Sequence, residues 1–512
     1  MAAGRSSPSP KNPETCPGNT TGREAGSRVV TRFADEGAPV GETLSADAVV
    51  IGMGPGGEDV AGRLAEAGLD VVGVERQLVG GECPYWGCVP SKMMIRAANL
   101  LAEGRRIPGM AGDATVRPDW APLAQRIRDE ATDDWDDRVA VERFEAKGGR
   151  FLRGEGRILA PGRVAVGERE IEAHRGIVVA TGTHAVIPPI PGLGHESGGG
   201  RRRHGAAGGD RAGVPYWTNR EAIEAKELPS SLIVLGGGPV GVELAQVFAR
   251  FGVAVTVVEM LDRLVPGEEP ETGRLLADVF EAEGVAVRTS ARVRGVHRDG
   301  ARLAVGLDDG TRLAAAQLLV ATGRRADLPA VGLGAVGVDE TRRWVPVDEH
   351  LRVTDGVWAV GDVTGKGAFT HVAMYQSAIA AADILGRPHT PADYQALPRV
   401  TFTDPEIGAV GWTEAQAREA ELAVRTGTSA VPRTARGWIH GAGNEGVIKL
   451  VEDAERGVLV GATAMGPAGG EVLGALTLAV HAQVPTEGLR QMIYAYPTFH
   501  RGIEDALRDL AG

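Results

Sequence analysis

Cysteine is scarce in this chain: three among 512 residues, too few to build a secreted scaffold on disulfides. Aromatic residues make up only 4% of it. No run of about 18 apolar residues occurs, so no segment has the makings of a membrane-spanning helix. Basic residues are outnumbered, leaving a formal net charge of −12, which argues against nucleic acid and against an anionic membrane surface as partners. Apolar residues are not scarce. At 43% they exclude wholesale disorder. What is present in excess is glycine, 73 residues, roughly double the usual share. The glycines follow no period of three, so collagen is excluded. The length suggests about three to four domains.

Residues 1–44 are rich in Gly, Ser, Pro and Thr without apolar periodicity, and they lack the apolar core of a secretory signal. They are read as a disordered tail on a cytoplasmic protein, with Cys16 incidental. Order is expected from Ala46, where Ala46–Ile51 reads as a buried strand running into Gly52-Met-Gly54-Pro-Gly56-Gly57 and a helix through Ala67. A second strand, Asp70–Val74, ends on Glu75. The same unit returns from Ser231 with the turn Gly236-Gly-Gly238-Pro-Val-Gly241, a helix through Phe251, and a strand Ala254–Val258 ending on Glu259. Gly52, Gly54, Gly57, Gly68 and Glu75 all recur at one common offset, as Gly236, Gly238, Gly241, Gly252 and Glu259. Between the two units, Gly192–Gly213 holds nine glycines and the triple Arg201-Arg202-Arg203, and reads as a solvated surface loop. After Ala396 strands and amphipathic helices follow without a third glycine-rich turn, which suggests a separate C-terminal domain.

A lone GxGxxG turn is weak evidence. Here each copy follows a strand, opens a helix and is trailed by an acid about 20 residues on. The first glycine permits the tight turn, the second lets backbone approach a pyrophosphate, and the third lets helix pack on strand. The helix N-terminus offers N–H groups and partial positive charge to phosphates. Glu75 and Glu259 are placed to take the 2′-hydroxyl of an adenosine ribose. A carboxylate there repels a 2′-phosphate, so Glu259 favours NADH over NADPH, with Arg263 near enough to soften the preference. Two dinucleotide sites imply two dinucleotides, and hydride transfer between a nicotinamide and a flavin explains both.

Directly after the first unit comes Gly80-Gly-Glu-Cys83-Pro-Tyr-Trp-Gly-Cys88-Val-Pro-Ser-Lys92. A metal site would want further Cys or His ligands nearby, and none is present. Two structural thiols are the plain alternative to a pair that cycles between dithiol and disulfide beside the dinucleotide. Cys88 precedes a helix start, where the dipole stabilises a thiolate, and Lys92 one turn on adds positive charge.

These residues resemble the flavin-dependent pyridine nucleotide–disulfide oxidoreductases, a family that includes dihydrolipoamide dehydrogenase, glutathione reductase and mercuric reductase. The resemblance runs from about Ala46 to Leu510 and includes Ala180-Thr181-Gly182, Ala321-Thr-Gly323-Arg324, Ala359-Val-Gly-Asp362 and Phe402-Thr-Asp-Pro-Glu-Ile-Gly408. It implies an α/β fold: two Rossmann-like dinucleotide-binding domains, for FAD and NAD(P), plus a C-terminal α+β dimerisation domain. The boundaries expected are 45–190 with 325–393 for FAD, 191–214 for the loop, 215–324 for NAD(P) and 394–512 for dimerisation. FAD would rest on Gly52, Gly54, Gly57, Glu75, Lys92, Gly156, Thr181, Gly182, Asp362 and Thr370. NAD(H), rather than NADP(H), would rest on Gly236, Gly238, Gly241, Glu259 and Gly323. Cys88 would face the flavin and Cys83 the substrate, while Lys92 would sit near flavin N5, paired with Glu243. Homodimerisation is implied, with the active site at the subunit interface.

One motif departs from the family. Its disulfide-reducing members end in His-Pro-Thr-x-x-Glu, in which the partner subunit's His handles the proton and the Glu orients it. Here the chain reads Tyr496-Pro-Thr-Phe-His500-Arg501-Gly-Ile-Glu504. A phenol with a pKa about 10 is a poor proton shuttle near neutrality. His500, one helical turn on, is a candidate replacement, and a structural role for it is the competing reading. Mercuric reductases are similar in carrying Tyr near this position but use a C-terminal cysteine pair, where this chain reads Arg508-Asp-Leu-Ala-Gly512. The leading expectation is an NAD(P)H:FAD oxidoreductase that keeps its redox-active Cys83/Cys88 pair and serves an unusual small acceptor, quinone-like or a specialised substrate. The alternatives are a true small-disulfide reductase using His500 and, more remotely, a non-catalytic redox-sensing flavoprotein.

Overall fold

The computed structural model describes residues 43–194 and 213–512. The expected tail up to residue 42, Cys16, residues 195–212 of the expected loop and its Arg201, Arg202 and Arg203 lie outside the described residues. Two compact units are formed. One takes the chain through Tyr85, then Gln125–Gly182 and Asp327–His389; the other takes Trp86–Ala124, Thr183–Ala326 and Thr390–Gly512. The boundary between them passes between Cys83 and Cys88.

The first unit is built on five parallel strands in the order Val357–Ala359, Arg169–Val179, Leu44–Ile51, Val71–Glu75 and Arg150–Arg153. Residues Val71 to Val74 are all buried, the near-continuous apolar reading of a parallel strand covered on both faces. An antiparallel strand, Arg352–Thr354, closes one edge. A hairpin of Gly156–Ala160 and Arg163–Val166 joins the N-terminal half of Arg169–Val179. Helix Pro55–Glu66 makes the crossover from first to second strand, with proline in its first turn where no hydrogen bond is lost. It lies against helix Thr370–Ile384 through small residues: a Cβ on Gly56 would meet the Ala373 methyl at 3.1 Å.

The second unit contains a four-stranded parallel sheet in the order Ala286–Arg288, Ala254–Val258, Ser231–Leu235 and Gln317–Val320. It also contains an antiparallel meander, Val293–Asp299, Arg302–Leu307 and Arg312–Ala315. Its last part is a five-stranded antiparallel sheet ordered Pro398–Thr401, Glu406–Gly411, Val458–Gly466, Val447–Asp453 and Val424–Ala430. Leu473, Leu476 and Val480 of helix Gly469–His481 and Ile503 and Leu507 of helix Gly502–Leu510 share one core with this sheet. The expected strands and helices of both glycine-turn units are found within about two residues of their sequence limits. The helix that begins at the second cysteine runs Cys88–Arg106. Among the described residues, no helix is long and apolar enough to cross a membrane.

Candidate functional site: two cradles and a cysteine loop

The two glycine turns superimpose in their bonding as well as their letters. Gly52 N–H donates to the Val74 carbonyl at 2.8 Å, and Gly236 N–H to the Val258 carbonyl at 2.9 Å. Glu75 accepts the backbone N–H of Met53 on Oε2 at 2.9 Å and that of Gln77 on Oε1 at 2.7 Å. Glu259 repeats the pattern with Gly237 at 2.6 Å and Leu261 at 2.7 Å. Each acid is thereby locked at the end of its second strand, beside the turn.

Gly52 and Gly236 lie at φ 94° and 106°, where only glycine sits without strain. Side chains on Gly57 or Gly241 would drive into the carbonyl oxygens of Gly52 and Gly236, so the third glycine of each turn is a helix-to-strand contact. The middle glycines are different. A Cβ on Gly54 would meet only Gly81 Cα at 3.9 Å, and one on Gly238 nothing within 4 Å. Helices Pro55–Glu66 and Pro239–Arg250 both start without a side-chain cap. An open middle glycine over an uncapped helix N-terminus fits a pyrophosphate, so the donor set suits a dinucleotide in each cradle.

Lys92 and Glu243 do meet: Nζ lies 2.8 Å from Oε2. Glu243 is buried, and its Oε1 accepts the Phe402 N–H at 2.8 Å. Lys92 Nζ also stands over the Phe402 ring, 4.5 Å from its centroid. Both charges are therefore held by partners from three separate stretches of chain, which is what makes a mostly buried ion pair tolerable.

Cys83 sits, partly buried, in the short helix Glu82–Tyr85; Cys88 is exposed at the first position of helix Cys88–Arg106, after Gly87. No side chain caps that helix, so its positive end faces the Cys88 thiol. Between the cysteines, Tyr85 has its phenol pushed up to about 12 by burial and by Asp137. Trp86 is held three ways by residues that the sequence reading missed. Its Nε1 donates to Glu224 at 2.7 Å, its carbonyl accepts Asn219 Nδ2 at 2.8 Å, and the Arg220 guanidinium lies 4.2 Å from its ring. The signal available was Thr218-Asn-Arg-Glu221, a capping-box pattern that does form.

The other expected residues fall as follows. Thr181 and Gly182 follow directly on Ala180, whose N–H bonds the Ile51 carbonyl at 2.8 Å, just ahead of Gly52. Gly156 opens its hairpin, packed so that a Cβ would meet Ile51 Cγ2 at 2.9 Å. Asp362 starts a 3-10 turn, Asp362–Thr364, and Thr370 opens helix Thr370–Ile384. The turn is pinned by Gln376, which the sequence reading overlooked. Its Oε1 accepts Gly361 N–H at 2.6 Å and its Nε2 donates to Thr364 at 3.1 Å. Gly323, at φ 113°, accepts Val186 N–H at 2.9 Å.

Tyr496 is 69% exposed, with the Arg501 guanidinium 5.3 Å from its ring centroid. Arg501 is paired to Glu504 at 3.2 Å. His500 is partly buried, its ring 6.2 Å from that of Tyr494, whose phenol burial pushes up to about 12.

Residues 46–377 match the family described as pyridine nucleotide-disulphide oxidoreductase, and residues 397–507 match its dimerisation domain. The chain belongs to this family. Dihydrolipoyl dehydrogenase of Chlorobaculum tepidum is 32% identical over 481 residues, covering 91% of this chain and 98% of its own. Mercuric reductase of Streptomyces lividans is 32% identical over 469 residues, covering 90% and 94%. Among solved structures, the HOCl-induced flavoprotein disulfide reductase RclA of Escherichia coli, as its Cu(II) complex, superimposes with a TM-score of 0.76 at 25% identity, covering 91% and 99%. LpdA of Mycobacterium tuberculosis superimposes with a TM-score of 0.76 at 26% identity, covering 91% and 100%. The expected α/β class with a C-terminal dimerisation domain is thus found, and the family's members use FAD and NAD(P)H.

Proposed function

We propose that this pyridine nucleotide–disulphide oxidoreductase takes electrons from NADH through FAD to the Cys83/Cys88 pair, and delivers them to a small acceptor other than the usual disulfides. A quinone-like carrier or a specialised small substrate fits best. The observation that carries this reading is the Tyr496–Arg501 arrangement. Where the disulfide-reducing members place an imidazole and an orienting carboxylate, this chain holds a phenol beneath a guanidinium, and imidazole is the side chain matched to proton transfer at neutrality. An acceptor that needs no proton at the departing sulfur removes the need for one.

FAD would be held in the first cradle, by Gly52, Gly54, Gly57 and Glu75 with Gly156, Thr181, Gly182, Asp362 and Thr370; when bound it supplies two-electron exchange between nicotinamide and thiols. NAD(H) would be held by Gly236, Gly238, Gly241, Glu259 and Gly323. Glu259, buried and pinned by two backbone N–H groups, cannot turn away from a 2′-phosphate, which supports NADH over NADPH. Glu243 fixes the Lys92 side chain in place through their 2.8 Å ion pair, beside the flavin. The helix N-terminus lowers the cost of a Cys88 thiolate, and Cys83 meets the acceptor. The dimerisation segment supports a homodimer, with the exposed Tyr496 approaching Cys83 of a second copy.

The test is an acceptor screen run with NADH and NADPH in parallel. Quinones are expected to turn over faster than lipoamide- or glutathione-type disulfides, and the reverse order rejects the proposal. His500 supports the second reading, disulfide reduction with a substitute base, because it is partly buried four residues from Tyr496, in a non-helical stretch just ahead of helix Gly502–Leu510 rather than one helical turn on. In that case His500→Ala abolishes disulfide turnover and flattens its pH profile near neutrality. Anaerobic NADH titration checks the thiol pair independently: a long-wavelength band between Cys88 thiolate and flavin is expected, and Cys88→Ser removes it.

A further inference from the structure

In the first unit, two imidazoles and a carboxylate come together where the sequence showed no motif. His350 lies in the loop before strand Arg352–Thr354, Asp383 near the end of helix Thr370–Ile384, and His389 five residues after that helix. His350 Nδ1 is 2.9 Å from His389 Nε2, with the rings at 88° to one another. Asp383 Oδ1 is 3.8 Å from His389 Nε2. The Asp383 and His389 side chains are 6% and 14% exposed, so these groups are partly sheltered from water.

The groups behind them orient the ligand atoms inward. His389 Nδ1 lies 3.0 Å from the Arg387 carbonyl, an oxygen that can only accept, so Nδ1 carries the proton and Nε2 keeps its lone pair. A ring nitrogen held by a carbonyl on its far side is the usual support of a metal-binding histidine. Asp383 is fixed by Trp358 Nε1 at 2.8 Å and by Arg352 at 2.6 and 2.8 Å, and these contacts hold its carboxyl below the usual range. Backbone N–H groups of His350 and Arg352 both bond Asp348 Oδ1, at 2.9 and 2.8 Å, which sets the His350 loop.

We propose that His350 Nδ1, His389 Nε2 and Asp383 Oδ1 form a binding site for one divalent first-row transition-metal ion, built from residues that belong to neither glycine turn nor the cysteine loop. Imidazole with carboxylate is the donor set of Cu2+, Ni2+ and Zn2+, not of Mg2+ or Ca2+. With metal–nitrogen bonds of about 2.05 Å, a right-angle pair spans about 2.9 Å and a tetrahedral pair about 3.3 Å. The nitrogens, 2.9 Å apart across their hydrogen bond, are close enough for one ion to bridge them once the shared proton has left. Only one proton need move. The one between the rings passes from His350 Nδ1 to its Nε2, where the Glu349 carboxylate stands 3.9 Å away, leaving both lone pairs on the ion. Arg352 on the same carboxylate repels the ion, so the affinity is expected to be micromolar. A bound ion would tie the His350 loop to the segment beyond helix Thr370–Ile384.

The experiment is calorimetric titration of the oxidised, FAD-loaded protein with Ni2+, its thiols first blocked with a maleimide. One ion per chain is expected, with His350→Ala and His389→Ala each weakening it at least tenfold while flavin content stays constant. If the wild-type protein binds no ion, or both variants keep its affinity, the site does not exist. A measurement that needs no variant is the electron paramagnetic resonance of one equivalent of Cu2+ on the wild-type protein. Coupling to two imidazole nitrogens is expected, and coupling to none or one rejects the assignment.

Discussion

The two cradles carry an acid at the same place on the helix that leaves them, and use it for different purposes. In helix Pro55–Glu66 it is Asp59, bonded to Arg63 at 2.7 Å and accepting the Ser377 hydroxyl. In helix Pro239–Arg250 it is Glu243, bonded to Lys92 and to the Phe402 N–H. Asp59 keeps its contacts within its own unit's packing, to the next turn and to the neighbouring helix. Glu243 is one methylene longer and nearly buried, and it reaches the lysine of the cysteine helix. Repetition of a fold element therefore preserved the backbone bonds that shape a phosphate cradle. The outward-reaching side chain was left to acquire a separate task.

The largest effect that would separate the copies comes from their third glycines. Gly57→Ala and Gly241→Ala each force a methyl into a carbonyl oxygen of the turn, so each is expected to empty one cradle. The Gly57→Ala protein should purify without flavin absorbance. The Gly241→Ala protein should keep its flavin and fail to be bleached by NADH. Loss of flavin from both variants would mean that the cradles are not independent. Next is Glu243→Gln, expected to slow NADH-driven flavin bleaching by tenfold or more in stopped flow, with flavin content unchanged, because Lys92 loses its counter-charge. Glu259→Ala should act on cofactor choice, cutting the NADH-over-NADPH preference about tenfold in kcat/KM, a scale set by one charge contact. Glu75→Ala, in the other cradle, should leave that ratio unchanged.

The cradles were legible because their constraints are local. Gly52 and Gly236 need a backbone that other residues avoid, Gly57 and Gly241 need space, and the acids must end a strand; each leaves one letter at a fixed spacing. The Lys92–Glu243 pair was reachable only through family resemblance, since 151 residues separate the partners. The Trp86 clamp joins segments more than 130 residues apart, so its capping box could mark a helix start but not the contact, and the Gln376 pin reaches from a helix back to the turn before it. The histidine pair was invisible for the same reason: His350 and His389 belong to two loops brought together by a sheet edge and a helix end. Tyr496 was read as a departure because a motif gave it a place to depart from; its cover by Arg501 needed the structure.

The smallest effect is the most exacting test of the comparison. Asp59→Asn keeps the side chain's volume and an oxygen for the Ser377 hydroxyl, and removes only the ion pair to Arg63. The Arg63 side chain is 46% exposed, and solvent-exposed pairs one helical turn apart contribute about 0.3–0.5 kcal/mol. The midpoint of thermal unfolding should therefore fall by no more than a few degrees. NADH-driven bleaching of the flavin should keep its wild-type rate. If Asp59→Asn instead slowed that step as Glu243→Gln does, the acid would matter to hydride transfer in both copies. The contrast between a packing aspartate and a lysine-pairing glutamate would then collapse. If the rate holds while stability drops slightly, the same helix position serves packing in one cradle and chemistry in the other, and the difference follows from what each carboxylate can reach.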